Sequence, residues 1–176
     1  MRDTIYGIMP KSPWPQGRIG SEFMQDWYAQ CTEAAEQVRK HKHRGIEIVV
    51  SSETHVKGAE REDRYYRDAL GHLGVIPTLL CKGTETESHI CALGEYAATR
   101  EADLVIIVTK AHYWRVRWIC WRQGVKASLI KVAGWARPSE LRSDWVLTFL
   151  YPIIDLCGLK GRFLQLVRTR RDSGKL

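Results

Sequence analysis

The stretch that most constrains this chain is Asp103-Leu-Val-Ile-Ile-Val-Thr-Lys-Ala-His112-Tyr-Trp-Arg115. Leu104 to Val108 is an unbroken, mostly β-branched run, which fits a strand covered on both faces within a parallel sheet. From about Ala111 the pattern turns helical. Thr109, His112 and Arg115 therefore fall where a strand ends and a helix begins. In open α/β sheets ligands bind along that edge, because strand ends leave a crevice and helix N-termini present unpaired N–H groups to anions. His112 and Arg115 are three residues apart and share a helix face. A guanidinium beside an imidazole there suits a carboxylate or phosphate, and the imidazole can also move a proton.

The other segments fall into the same alternation. Thr4 to Met9 is a first strand, followed by a Pro- and Gly-punctuated loop in which Lys11, Ser12 and Arg18 are candidate ligand contacts, as well as ordinary surface residues. Phe23, Trp27, Ala34 and Val38 recur at helical spacing until Lys40 to Gly45 closes that helix with cations and a glycine. His41 and His43, two apart, suit a metal poorly and read as a solvated helix end. Ile46 to Val50 is a second strand, with Ser51 and Ser52 at its carboxyl end as hydroxyls for an oxyanion. A helix from about Ala59 to Leu73 opens with Glu60, Glu62 and Asp63, where carboxylates are favoured by the helix dipole alone. Val75 to Cys81 is a third strand. Thr84 and Glu87 then have the spacing of a capping box for a helix reaching about Thr99. The helix after the central strand ends at Gly124, and Lys126 to Val132 is a fifth strand. Helices over Ser139 to Phe149 and Ile153 to Arg168 follow, interrupted near Pro152 and Gly158. Five short strands separated by helices predict a Rossmann-like, doubly wound, mostly parallel five-stranded sheet with helices on both faces.

At 176 residues the chain fits one domain spanning residues 1–176, able to bury roughly 70 % of its unfolded surface, with no repeat or linker. Five cysteines without a CxxC pair argue for buried thiols in a reducing, cytoplasmic setting. No signal peptide is visible at the N-terminus, and no stretch approaches the roughly 18 apolar residues of a membrane span. The net charge of +7 could point to nucleic acid, but its distribution argues against that partner. From residue 160 onward six cations face only Asp172, so the tail carries +5 and the body is nearly neutral.

Taken together, Val108-Thr109-Lys-Ala-His112-Tyr-Trp-Arg115, Glu62 ahead of Leu70 and Leu73-Gly74-Val75, and the Thr-rich loop Lys82 to His89 containing Glu87 resemble the YdcF-like domain family, which includes the SanA and ElyC-type proteins. The likeness covers about residues 45–132 and extends to the whole domain. It implies a Rossmann-like fold with a polar site and no well-defined common reaction. Three positions depart from the family. Met9-Pro10-Lys11-Ser12-Pro13 replaces a Gly-rich loop, Ser51-Ser52 stands for Ser-Gly-Gly, and Ser88 stands for the Asn after the loop glutamate. The family's frequent N-terminal membrane helix is absent.

The expected site has Arg115, Thr109, Ser51, Ser52, Thr84 and Lys11 binding an anionic small molecule. His112 is its general acid or base, oriented together with Arg115 by Glu62 or Glu87. Hydrolysis or group transfer on a phosphorylated or carboxylated metabolite fits these groups. The fold alone adds an adenosyl or nucleotide-type ligand by analogy. Ser51 or Ser52 could complete a triad on paper, but no G-x-S-x-G elbow is present. No metal-ligand motif is present either. Trp114, Trp118 and Trp121 share one helix face and read as core packing, with a base-stacking platform as the competing reading. The alternative function is a non-catalytic module. Its basic C-terminal helix and tail, residues 153–176, would bind an acidic partner, nucleic acid or a membrane surface.

Overall fold

The structure, a computed structural model, describes residues 2–10, 21–41, 45–53, 61–83, 85–132, 138–163 and 165–166. Strands and helices alternate along it: β1 (Thr4–Ile8), α1 (Ser21–Lys40), β2 (Ile46–Val50), α2 (Glu62–His72), β3 (Thr78–Leu79), α3 (Thr86–Thr99), β4 (Asp103–Thr109), α4 (Tyr113–Arg122), β5 (Ala127–Val132) and α5 (Pro138–Leu156). The strands form one sheet in the order β3-β2-β1-β4-β5, and every adjacent pair is parallel. The chain winds outward from β1 in one direction and from β4 in the other, so the fold is a doubly wound, Rossmann-like α/β sheet.

Side-chain alternation along the strands builds two cores. Tyr6, Ile8, Ile48, Val50 and Ile107 pack with Trp27, Cys31, Tyr66 and Leu70 from α1 and α2. Their sequence neighbours Ile5, Val49, Ile106 and Val108 pack with Ile90, Leu93, Val116 and Ile119 from α3 and α4, and Tyr151 of α5 joins them. Successive strand residues point to opposite faces, so a run apolar at every position is what two covered faces require. Gly7 lies on the second face, where a Cβ would come within 2.8 Å of Leu93 Cδ1. Its bare backbone lets α3 rest on β1.

Three local expectations are corrected. β3 is two residues long, not Val75 to Cys81, because it is an edge strand entered from Pro77, which has no N–H to donate to a ladder. The third helix is capped by Glu85 and Ser88, one residue on from the Thr84–Glu87 pair. The Glu85 amide donates to Ser88 Oγ (3.0 Å), and that hydroxyl donates back to the Glu85 carbonyl (2.9 Å). Pro152 does not break the C-terminal helix. α5 continues through it to Leu156, anchored by buried Tyr151, and Gly158 at φ 70° ends it. A proline forfeits one i to i−4 bond, and tertiary packing here outweighs that loss. Among the described residues no helix is long and apolar enough to cross a membrane.

Candidate functional site

The strand order reverses between β1 and β4, and their carboxyl ends frame the crevice where open α/β sheets bind ligands. The Met9 amide donates to the Ile107 carbonyl (3.1 Å), which extends the pairing past the end of β1. Gln30, fully buried on α1, donates through Nε2 to the carbonyls of both Met9 (2.8 Å) and Ile107 (3.2 Å), and its Oε1 accepts from Tyr66 (2.9 Å). One amide thus ties both strand ends to the helix beneath them. Nothing in the sequence marks Gln30 as a core residue.

On one side of this floor, buried Thr109 ends β4, and its Oγ1 lies 3.2 Å from His112 Nδ1. His112 is the N-cap of α4 and half-buried. Its amide donates to the Thr109 carbonyl (3.1 Å), and its own carbonyl takes the first helical bond from Val116 (2.9 Å). The strand end therefore aims the imidazole across the opening of the helix. Arg115, half-buried in the first turn of α4, is close enough to Tyr151 for its positive charge to act on that phenol. The Tyr151 pKa is nevertheless pushed well above the usual tyrosine range by burial and by its hydrogen bond to Glu87, with Arg115 pulling the other way.

Glu87 sits at the centre of a different knot. Its carboxylate accepts from Tyr151 (2.7 Å), Gln123 (2.5 Å) and Lys160 (2.5 Å). The shifted capping box leaves this side chain to join α3 to α4 and α5.

On the other side of the floor, β2 ends in two fully buried serines. Ser51 donates to the Lys82 carbonyl (2.6 Å), and Ser52 donates to Glu62 Oε2 (2.7 Å). Glu62 and Asp63, the first residues of α2, are both buried, where the helix dipole favours their charge. β2 and β4 flank β1 at about 4.8 Å per strand, so their carboxyl ends stand about 10 Å apart. The hydroxyl that meets His112 is that of Thr109, and the serines spend theirs on a carbonyl and a carboxylate.

Next to Glu62 lies a group with little signal in the sequence. Arg61 pairs with buried Asp63 through both Nε and Nη2, and Nη2 also lies 2.7 Å from Cys81 Sγ. Hydrogen bonds to Asp63 and then Cys81 raise the Arg61 pKa further. Cys81 follows β3 in a left-handed conformation at φ 49°. Gly83 (φ 90°) presents its carbonyl to the Glu53 amide (2.7 Å) and to His89 Nε2 (2.9 Å). The only sequence signal for this group was the carboxylate beside Glu62, which dipole stabilisation already explained.

Lys11, Ser12, Arg18, His43, Thr84 and the tail from residue 167 lie outside the described residues. The expected burial of the tryptophan face is corrected. Trp114 is 58 % and Trp121 70 % exposed, with Trp118 half-buried between them. The inward face of α4 is Val116, Ile119 and Cys120, at i, i+3 and i+4.

No family model matches this chain, and no curated protein matches it.

Proposed function

We propose that the chain is a YdcF-like protein that binds an anionic small molecule at the carboxyl edge of its sheet, over β1 and between the β2 and β4 ends. The ligand is a nucleotide-like or phosphorylated or carboxylated metabolite. The observation that carries this reading is the 3.2 Å contact between Thr109 and His112 at the N-terminus of α4, beside the strand-order reversal. An anion there meets unpaired helix N–H groups, and Arg115 supplies the countercharge. With Nδ1 beside Thr109, the His112 Nε2 is the nitrogen for proton transfer, which suits hydrolysis or group transfer. Glu62, held by Ser52, stands at the neighbouring junction after β2. The setting is cytoplasmic, and all five cysteines are free thiols.

The test is a thermal-shift screen of the full chain with nucleotides, sugar phosphates, adenosylmethionine and dicarboxylates. At least one of these raises the Tm of the native protein, and His112→Ala and Arg115→Ala each remove that rise while melting like the native protein without ligand. If both folded variants keep every response, the reading fails.

A further inference from the structure

The two faces of α5 have opposite surroundings. Tyr151 is buried in the core cluster that holds Val116 and Ile119, and Asp155, one turn on, takes Arg122 (3.3 Å) and Lys160 (3.8 Å). The side away from Tyr151 carries Val146, Leu150, Ile153 and Leu156, with Ile153 56 % and Leu156 68 % exposed. Leu159 and Leu166 continue as exposed apolar residues beyond the helix. From Trp145 to Leu156 the helix is largely apolar on both sides apart from Asp155, and such a segment belongs with an apolar environment on both sides.

Charge identifies that environment. From Trp145 to Leu156 the single ionisable acid is Asp155, which is turned inward and paired, so the outer face is uncharged. Past it, six cations from Lys160 to Lys175 stand against Asp172, and Arg162 is exposed. A second copy of the chain would meet this tail with the same sign of charge. An anionic bilayer offers acyl chains to the stripe and phosphates to the cations. Trp121, 70 % exposed, precedes the Arg122 that reaches Asp155, and an indole at that margin suits the headgroup level.

We infer that α5 is a membrane-surface helix whose outer face rests in the boundary between headgroups and acyl chains of an anionic bilayer. The site around His112 is not involved. The experiment is flotation of the full chain with phosphatidylcholine vesicles and with vesicles of phosphatidylcholine and phosphatidylglycerol in roughly equal parts, at low and high salt. The protein floats with the anionic vesicles at low salt, is released by high salt, and stays behind with the neutral ones. Ile153→Glu/Leu156→Glu, two exposed positions whose replacement leaves the circular dichroism and melting curve unchanged, binds roughly tenfold or more weakly. His112→Ala floats like the native protein. Failure to float with anionic vesicles, or flotation unaffected by the double substitution, overturns the inference. So does light scattering that finds a native dimer split by the same double substitution, since the face would then be covered by a second copy.

Discussion

Two strand-to-helix junctions of the same sheet edge face each other across β1, and they use their polar groups in opposite ways. At the β2–α2 junction the serines, Glu62 and Asp63 are all buried, each with a hydrogen-bonding or ionic partner. At the β4–α4 junction Thr109 is buried, but His112 and Arg115 remain half-open, and the nearest carboxylate knot, around Glu87, is assembled from α3, α4 and α5. The first junction is therefore held as a wall. The second leaves its imidazole and guanidinium partly open to solvent.

Replacing Glu62 by Ala gives the largest expected change. It leaves the Ser52 hydroxyl without its carboxylate in a dry site and should cost about 2–3 kcal/mol in urea denaturation, with Glu62→Gln recovering much of that loss. A loss as small as that of a surface substitution would erase the contrast between the junctions.

On the opposite wall, Tyr151→Phe removes one of three donors to Glu87 and should cost about 1 kcal/mol, because Lys160 and Gln123 remain. Equal costs for this change and Glu62→Ala would mean that both carboxylates are equally dependent on single partners.

Smaller still, Thr109→Val should cost about 0.5–1 kcal/mol by denaturation, since it removes one neutral contact while keeping the shape of the strand end. Its larger effect should be on ligand response, through loss of the imidazole's fixed orientation.

An alkaline melt should separate the cores from the crevice. Burial pushes the Cys31 thiol up to about 12 and the Cys120 thiol up to about 11, from a model-compound value of 9.0. Below pH 9 both thiols are protonated in the folded and the unfolded chain. Above it the unfolded chain loses protons that the folded chain keeps, so stability falls from pH 9 toward 11 and then 12. Near neutral pH the effect is nil. Cys31→Ala should flatten the upper part of the decline in a pH-resolved Tm series.

Much of this architecture is legible in the residues because a fully buried strand leaves little choice of composition. Leu104 to Val108 had to be apolar at every position, and the helix had to begin just after it. The edges were harder. β3 shrinks to Thr78–Leu79 because an edge strand carries fewer constraints, and Pro77 weakens it further. The Trp114–Trp121 face points outward although its spacing matches a packed stripe, because periodicity gives the face without saying which side the sheet lies on. α5 crosses Pro152 because packing elsewhere on the helix exceeds a local loss. At the candidate site, the juxtaposition of Thr109 and His112 follows from their place at the strand end and the helix start. Arg61, Asp63 and Cys81 come together only through tertiary folding, since Cys81 is 18 residues from Asp63 in the chain.

The Gln30 amide has a mechanical consequence. By gripping the carbonyls of Met9 and Ile107 at once, it braces the two central strands against spreading just past the end of β1. The floor of the crevice is thus stiffened from below, and a change at Gln30 would loosen both strand ends together without altering any residue of the sheet.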